Sequence, residues 1–516
     1  MDDFRVFYIT ILITICFEVF AKNQGIKAAD STLTSSGNYH YNNQSIVANV
    51  ASLVITAEEF LYSYEYGPAF TKKNKNSKEN YLNYMINEKL LAQYAYQNGI
   101  DTLRQSREMI TAIHNDLMTE AMFKEEIENN IKLNETEIDT IINRKTITVE
   151  LKWLYYENET KLKKALKLLQ NNTTFDSLFR IQLKRDVKED DRFMHISLYH
   201  LGIRNKPLAI IIDTLTVGNY SKPIHTIDGW YIVKLLSAYK NPIQNEEEYH
   251  RLRSESITAA KKEKMDKLSD KYIQTLFFDN KPIINKDAFE ILKGYVGKYY
   301  LSAEDYEEWK LDVSLAKVMK NTGITDSTIK KITLVELTNM NISLNEFLEW
   351  FWIRSQYMKF DKSNVSRYSF SLRKIIMLMV RDELLTEEAR RKGFNNEENI
   401  HKQLGWWKDK IAFSTLRNEL AKSIIFENNE LISVDSSQTS KSEIELKNLE
   451  LSKKIFNLIN EMKNKTDVRI NHELLNNIPV SSLNDPEAID VYTVKKGGLI
   501  PRTPYPTIDY DWINWE

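Results

Sequence analysis

The chain has 516 residues, of which 42% are hydrophobic and 28% are charged, so it can bury several cores and is long enough for three or four domains. Only 14 Gly and 10 Pro residues occur over this length, which excludes a turn-rich β architecture and predicts long helices. The 70 basic and 72 acidic residues are interspersed and nearly balanced, so neither nucleic acid nor an anionic membrane surface is an expected partner.

The N-terminus has the pattern of a secretory signal, predicted over residues 1–21. A mostly apolar run covers Val6–Phe17, and Val19-Phe20-Ala21 supplies the small or apolar residues that signal peptidase accepts. We predict cleavage after Ala21 and export to the periplasm or cell envelope. The acidic pair Asp2-Asp3 makes a poor signal start, so an uncleaved anchor is the alternative, and it would be the only membrane contact.

The only cysteine, Cys16, lies inside this signal. The predicted mature chain therefore has no thiol, which excludes cysteine catalysis and disulfides and fits an oxidising compartment. Cleavage would also remove one basic and three acidic residues, so the mature chain would be formally neutral. No later segment is long and apolar enough to span a bilayer.

Two helices are predicted after a linker over residues 22–46. The first begins in Ile55-Thr-Ala-Glu-Glu-Phe-Leu61, where Thr56 and a glutamate three positions later have the spacing of a capping box. The second covers Met85–Gly99 and ends at a glycine, the residue that most often terminates a helix.

An α+β segment follows. Ile147–Tyr156 alternates as a half-buried strand, and Lys161–Gln170 and Phe175-Asp-Ser-Leu178 supply two helices. The block Leu215–Leu236 then predicts a helix end, a turn and a final strand.

The helical pattern then repeats. Ile342-Ser-Leu-Asn-Glu-Phe-Leu348 matches the first capping box, and Met379–Gly393 matches Met85–Gly99. A third pair, Ile273–Phe289 and Phe456–Leu474, predicts a helix that ends in a short strand in each half. Three matched elements in the same order indicate an internal duplication.

These motifs resemble a known family. Leu215–Leu236 is similar to the last third of a parvulin-type peptidyl-prolyl isomerase domain, and the order of elements resembles SurA/PrsA-type foldases, in which a parvulin domain is inserted into a helical chaperone module. The resemblance implies a mainly α protein with one α+β domain: a duplicated SurA/PrsA-like helical chaperone module with an inserted parvulin-like β-α domain.

The resemblance also sets the expected domains after the signal and linker. They are a first helical module over 47–143, the parvulin-like domain over 144–240, a returning helix and strand over 241–296 that completes the first module, a second module over 297–426, a polar linker over 427–445, the returning helix and strand of the second module over 446–480, and an aromatic, Pro-rich tail over 481–516.

The parvulin-like segment departs from the family at its site. Active members carry histidine at two positions, matched here by Trp153, or by Lys152 if the register shifts by one residue, and by Tyr231. The central Gly-Gly turn that shapes the proline pocket is replaced by His195–Gly202. The resemblance therefore implies a domain without isomerase activity. Trp153 and Tyr231 could form an aromatic binding groove or could simply complete the core.

Other chemistry has little support in the sequence. His195 and His200 are five positions apart on a predicted strand, so they would lie on opposite faces, and neither has a partner at metal-ligand spacing. There is no glycine-rich phosphate loop and no nucleophile elbow. We predict no metal, no nucleotide and no other cofactor.

Aromatic residues on the repeated helices suggest a binding surface. The predicted client-binding residues are Phe60, Tyr64, Phe347, Trp350 and Phe351, on a continuous cradle formed by the two helical halves. Because they are too many for one apolar stripe, either some are exposed or the helices pack on two sides. The tail, with Pro501–Pro506 and Trp512–Trp515, is not expected to be helical and either docks on the body or mimics a client.

Together these features predict an exported, ATP-independent chaperone that binds unfolded or partly folded envelope polypeptides. Two alternatives remain open at this stage. One is an active isomerase with a rebuilt site, and the other is a non-catalytic envelope scaffold with one dedicated partner.

Overall fold

The structure is a computed structural model that describes residues 44–73, 75–183, 189–226, 229–325, 328–355, 358–424, 441–480, 492–494, 498–500 and 504–512. The predicted signal, its cleavage after Ala21 and most of the polar linker over 427–445 lie outside the described residues. No helix within these ranges has the length and apolarity to cross a bilayer.

The chain divides into two compact units. The insert unit is Ile131–Met265, and the main unit comprises the residues before and after it. The predicted parvulin-like segment, 144–240, falls inside the insert unit, which also includes one preceding helix and the start of the following one.

The first half of the main unit contains two strands and three helices. They are β1 (Ile46–Val50), β2 (Leu53–Thr56), α1 (Ala57–Glu65), α2 (Ser77–Gln97) and α3 (Arg104–Phe123).

The insert unit is the α+β part of the chain. Its elements are α4 (Glu135–Thr146), β3 (Ile147–Tyr156), α5 (Glu159–Gln170), α6 (Phe175–Leu183), β4 (Phe193–Ser197), α7 (Leu198–Arg204), α8 (Lys206–Asp213), β5 (Ile224–Thr226), β6 (Gly229–Lys240) and the start of α9 (Glu246–Asn280). The strands form one antiparallel sheet in the order β4-β3-β6-β5. The predicted strand followed by two helices is confirmed by β3, α5 and α6.

The second half of the main unit follows α9. It contains β7 (Ile283–Ile284), α10 (Lys286–Tyr300), α11 (Ala303–Glu308), α12 (Leu311–Thr322), β8 (Thr333–Glu336), β9 (Asn341–Ser343), α13 (Leu344–Arg354), α14 (Val365–Arg391), α15 (Glu398–Lys422), α16 (Lys441–Lys465), β10 (Val468–Ile470), α17 (His472–Asn477), β11 (Tyr492–Val494) and β12 (Gly498–Ile500). The predicted fold class, mainly α with one α+β domain, is confirmed.

The returning strands cross between the halves. Strand β10 pairs antiparallel with β1, opposite Ala48–Val50, and β7 pairs antiparallel with β8. The expectation that 241–296 completes the first module and 446–480 the second is therefore wrong, because each returning strand completes the sheet of the other half. The two sheets, β10-β1-β2 and β7-β8-β9, tie the duplicated halves together.

The matched helix ends follow the sequence closely. Ser343 and Glu346 form a complete capping box at the start of α13, whereas Thr56 accepts a bond from the backbone of Glu59 at the start of α1 without the reciprocal bond. The Glu59 carboxylate bonds to a lysine instead, as described below. Gly99 and Gly393 both have positive φ, 67° and 90°, as their predicted helix-ending role requires.

Each half has its own apolar core. The core of the first half is built on β1, α1 and α2 and also receives side chains from α15, α16 and the C-terminal residues. The core of the second half is built on α10, α13 and α14. The first core therefore depends on the last residues of the chain, which no local sequence pattern reveals.

Candidate polypeptide-binding sites

The parvulin-like site lies on one face of the insert unit's sheet. Trp153 on β3 pairs with Val233, and Tyr155 on β3 pairs with Tyr231 on β6, so Trp153 and Tyr231 share a face. Both rings are half-buried and pack against one apolar cluster. The sequence left open whether these rings form a binding groove or complete the core. Each ring partly completes the core and keeps some exposed surface.

Polar groups border Tyr231 on this face. The ring of Tyr155 lies 5.2 Å from the ring of Tyr231. The Gln182 amide donates to the backbone oxygen of Tyr155 at 3.0 Å, and its oxygen accepts from the Tyr155 N–H at 3.1 Å. The guanidinium of Arg192 lies 5.4 Å from the Tyr155 ring centroid. Such a group of aromatic and polar side chains can contact an apolar side chain.

The histidines of the insert unit are placed differently from the expectation. Strand β4 ends at Ser197, so His200 lies on α7 and does not share a strand with His195; that prediction is wrong. Both are exposed, and each contacts a hydroxyl: His195 Nε2 lies 3.1 Å from Tyr239 Oη, and His200 Nδ1 lies 2.7 Å from Ser197 Oγ. No group of metal-ligating side chains suited to an ion occurs in the part of the chain that the structure describes.

The five aromatic residues predicted to bind client are core residues. Phe60, Phe347 and Phe351 are fully buried, and only 3% of Tyr64 and 6% of Trp350 are exposed. The prediction of an exposed client-binding groove over these side chains is therefore wrong. The alternative holds: the helices that carry them pack on more than one side, so a wide apolar surface is needed for packing alone.

The C-terminal residues occupy a groove on the first half. The tail segment, which we define as residues 504–512, has no regular strand and docks between α1, α2 and α15. The ring of Tyr505 stacks on Tyr62 with centroids 4.1 Å apart, while Ile508 and Trp512 are buried in the core. Docking of the tail on the body is thus confirmed for these residues, and Trp515 lies outside the described residues.

Side chains of the groove form hydrogen bonds with the tail segment, mainly with its backbone. The indole N–H of Trp407 donates to the Pro504 oxygen at 3.1 Å. The Glu88 carboxylate accepts from the backbone N–H of Asp509 at 2.7 Å and from the Trp512 indole at 2.9 Å. Bonds from fixed helices to the backbone of an extended segment are a general means of holding a peptide.

Buried charges complete this tail groove. The Arg417 guanidinium, 4% exposed, bonds to Asp509 and lies 3.0 Å from Asp511. Lys410 bonds to both carboxylate oxygens of Glu88, at 2.9 and 3.0 Å. Each buried charge in the groove thus meets an opposite charge, as burial of ions requires.

A second buried ion cluster lies beside the tail groove. Lys89 bonds to Glu59 at 2.7 Å and to Asp409 at 2.6 Å. Burial lowers the pKa of Lys89, but the two carboxylates outweigh that effect and hold the pKa above its ordinary value. Lys89 therefore stays charged and bonds to two acidic groups at this site.

The second half contains a cavity of about 300 Å³ between α3, α13 and α14. This charged cavity is lined by Arg104, Arg107, Glu108, Thr111, Ala112, Asn115, Asp116, Thr119, Glu346, Glu349, Trp350, Ile353, Arg354, Asp382, Glu383 and Thr386. Its volume is at the lower end of the range of about 300–1,000 Å³ that is usual for ligand sites.

Ion pairs frame the charged cavity. Arg354 bonds to Asp116 at 2.6 Å and lies 3.7 Å from Asp382, and Arg104 bonds to Glu349 at 2.6 Å. The Trp350 indole donates to Asp382 at 3.0 Å. Trp350 is thus the one predicted client residue that lines a cavity, although its ring is mostly buried.

Glu383 is one of the lining residues whose pKa is shifted from its ordinary value. Burial raises the pKa of Glu383 to about 7, and the nearby carboxylates of Asp382 and Glu346 add to the rise, whereas Arg354 opposes it. Its carboxylate therefore changes charge near neutral pH.

Sequence reasoning did not find the tail groove or the charged cavity. The signal that could have revealed them is a pair of charged residues inside each matched apolar helix: Glu88-Lys89 in α2 and Asp382-Glu383 in α14. Charges at positions that helical periodicity assigns to the interior indicate buried partners.

Comparison with known proteins finds similarity only to solved structures, at low sequence identity and over about half of the chain. No family model matches the chain, and no curated protein matches it. Among solved structures, the foldase protein PrsA from Streptococcus pneumoniae is 16% identical, with a TM-score of 0.21, covering 43% of this chain and 90% of that one. PrsA from Bacillus subtilis is 15% identical, with a TM-score of 0.16, covering 45% of this chain and 93% of that one. The peptidylprolyl isomerase PrsA from Bacillus anthracis is 12% identical, with a TM-score of 0.19, covering 51% and 98%.

Proposed function

We propose that the chain is an exported, ATP-independent chaperone that binds unfolded or partly folded envelope polypeptides, with a parvulin-like domain that does not catalyse isomerisation. The observation that carries the proposal is the tail groove. There, fixed helices hold an extended segment without regular structure through ring stacking, backbone bonds and ion pairs. A fold that binds one such segment of itself has the chemistry to bind others.

The insert unit supports the proposed lack of catalysis. Prolyl isomerisation needs preferential binding of the twisted amide, against a barrier of roughly 18–20 kcal/mol. Trp153 and Tyr231, at the positions where the resemblance expects histidine, are partly committed to the apolar cluster of the sheet. The same rings retain exposed surface that can contact an apolar client side chain without twisting its backbone.

Exposed apolar side chains on the insert unit support client binding. Ile181, Ile203, Ile210 and Val217 are each more than half exposed. Covering water-exposed aliphatic groups with an unfolded chain lowers the free energy by about 25 cal/mol per Å² of apolar surface buried. Several weak contacts of this kind suit a chaperone that releases its client without nucleotide.

Two assays on the full-length chain test the proposal. We expect the chain to suppress aggregation of several unrelated unfolded proteins without ATP, and a proline-peptide assay to show no acceleration above the uncatalysed rate. If the chain suppresses the aggregation of one protein and not of the others, the result would favour the alternative of a non-catalytic scaffold with one dedicated partner. Acceleration comparable to that of an active parvulin would favour the isomerase with a rebuilt site.

A further inference from the structure

The tail groove and the charged cavity occupy matched places in the two halves. Counting from the matched pair Met85 and Met379, Glu88 of α2 corresponds to Asp382 of α14, and Lys89 corresponds to Glu383. Glu88 and Lys89 line the first-half site, and Glu88 also contacts the tail segment. Asp382 and Glu383 line the charged cavity.

The opposite wall is also matched. Counting from Gly99 and Gly393, Ala112 of α3 corresponds to Trp406 of α15, and Asp116 corresponds to Lys410. Ala112 and Asp116 line the charged cavity, whereas Trp406 and Lys410 line the tail groove. The duplication has therefore produced two versions of one site, each between a short helix, a long helix and a helix from the other half.

The two sites even share one bond. In the tail groove the indole of Trp512 donates to Glu88 at 2.9 Å, and in the charged cavity the indole of Trp350 donates to Asp382 at 3.0 Å. An indole N–H thus meets a carboxylate at the same position of both long helices. The first indole belongs to a docked peptide and the second to the helix α13.

Occupancy is the main difference between the sites. Around Pro506, Thr507 and Ile508 only about 30 Å³ of space remains in the tail groove, whereas the charged cavity has about 300 Å³. The small Ala112 of the charged cavity matches the bulky Trp406 of the tail groove, and this difference contributes to the larger space.

The charge of the cavity is the second difference. Its lining carries six acidic residues, Glu108, Asp116, Glu346, Glu349, Asp382 and Glu383. It carries three basic residues, Arg104, Arg107 and Arg354. The excess of acidic groups means that a cationic group entering the cavity would be attracted, whereas the tail groove already balances its charges with Asp509 and Asp511 of its own peptide.

We propose that the charged cavity is a binding site for an extended polypeptide segment that carries a lysine or arginine side chain, supplied by a client protein. The proposal rests on the proposed chaperone function and names its site and the class of segment it takes. The cationic side chain lies among the acidic lining, and the adjoining backbone follows the path that the tail segment takes in the first half. The first-half site is kept by the chain's own tail, so the second half is the one that serves clients.

Direct binding measurements on the full-length chain test the site. The probes are two fluorescein-labelled Gly-Ser peptides with one tyrosine and either two lysines or two glutamates. We expect the lysine peptide to bind at least about tenfold more tightly than the glutamate peptide at low salt, and the difference to shrink as salt rises.

Two variants locate the binding. Ala112→Trp places in the cavity the tryptophan that the tail groove has at the matched position, Trp406, and we expect the affinity for the lysine peptide to fall by about tenfold or more. Glu383→Lys introduces the charge that Lys89 supplies in the first half, and we expect it to remove the preference for lysine. Val313→Trp adds the same ring at a residue of α12 that is 58% exposed and outside the cavity lining, and it should bind as the parent does.

The outcomes separate the site from the function. If a folded Glu383→Lys or Ala112→Trp chain binds the lysine peptide as the parent does, the cavity is not the site, and intact aggregation suppression would leave the chaperone function standing. If the parent binds neither peptide but suppresses aggregation, the cavity is again excluded. If the parent does neither, the chaperone function itself fails. Thermal melts identify a variant that does not fold, and the other variant then decides.

Discussion

The two halves of the main unit share a helical frame but differ in what fills it. In the first half the tail segment enters between α1, α2 and α15, and Trp512 becomes fully buried. In the second half the corresponding space between α3, α13 and α14 remains a cavity of about 300 Å³. The comparison teaches that duplication preserved the packing of the helices, whereas the site between them diverged through a few charged and bulky residues.

Electrostatics shows the divergence most clearly. Lys89 lies between Glu59 and Asp409 and bonds to both of them. The corresponding residue of the second half is Glu383, which lies near Asp382 and the Glu59 counterpart, Glu346, so a cation has been replaced by an additional anion. The lining as a whole carries six acidic and three basic residues, and this excess of acidic groups favours a cationic guest.

The largest expected effect concerns the shared apolar frame. Phe351→Ala should lower the free energy of unfolding by about 3–5 kcal/mol, because its ring is fully buried against Phe347 and Tyr300. Urea titration followed by circular dichroism measures the change. Phe370→Ala, at a ring that is 55% exposed, is the matched control and should change the stability by about 0.5 kcal/mol or less. A similar small effect at Phe351 would mean that its ring is a surface contact after all.

The next effect concerns the filled site alone. Arg417→Ala should cost about 3 kcal/mol or more, because Asp509 is 1% exposed and would keep a buried charge without this partner. The same urea titration measures it, together with proteolysis near the C-terminus, which should become faster as the tail segment leaves. Arg373→Ala provides a control at an arginine of α14 whose guanidinium lies over the Phe289 ring. Equal protection of the C-terminus in the Arg417 variant would contradict the ionic anchoring of the tail.

A pH-dependent effect belongs to the open site. Because the pKa of Glu383 is raised to about 7 in the folded chain from an ordinary value of 4.5, the folded state holds its proton more tightly than the unfolded state does. Its contribution to stability is fully present below about pH 4.5 and is lost as the pH rises to about 7. Glu383→Gln should therefore be more stable than the parent at pH 8, by up to about 3 kcal/mol, and show little difference at pH 4.

The groups that face Glu383 are Asp382 and Glu387 on its own helix and Glu346 and Arg354 on α13. Melting temperatures from pH 4 to pH 8 test the prediction. An advantage of the glutamine variant that is equal at both ends of this range would exclude titration of Glu383 as its cause.

The smallest expected effect compares the helix starts. Ser343→Ala removes the two bonds of the Ser343 hydroxyl, which accepts from the Glu346 N–H and donates to the Glu346 carboxylate, and leaves the bond from the backbone N–H of residue 343. Thr56→Ala removes one bond, so we expect losses of about 1–2 and about 1 kcal/mol, respectively. Denaturant titrations of both variants check the order. A larger loss at Thr56 would show that Glu59, held by Lys89, depends on the cap more than its geometry indicates.

Local features were predictable from the sequence because they depend on neighbouring residues. The caps at Thr56 and Ser343, the left-handed Gly99 and Gly393, and the strand β3 with its two following helices all lie where the patterns place them. Asn285 and Asn471 also cap the helices after the matched strands β7 and β10.

Long-range features were not predictable, for a physical reason. Strands β7 and β10 are both short and precede an asparagine cap, so the local pattern of each strand suits either sheet. Phe60 and Phe351 were read as surface residues because the periodicity of one helix cannot show how many sides its neighbours cover. The acidic lining of the cavity could be found only after the halves had been placed together.

The crossed strands determine when the molecule can become complete. Strand β1 begins at Ile46, yet one of its edges stays unpaired until Val468–Ile470 has been made, and the core behind it closes only with Trp512. Pairing over such sequence separations slows folding, because the entropy of closing a long loop is lost before the contact forms. A chain synthesised from its N-terminus therefore carries an unfinished first sheet until Val468–Ile470 has been made, and products truncated before this strand should expose that edge to aggregation.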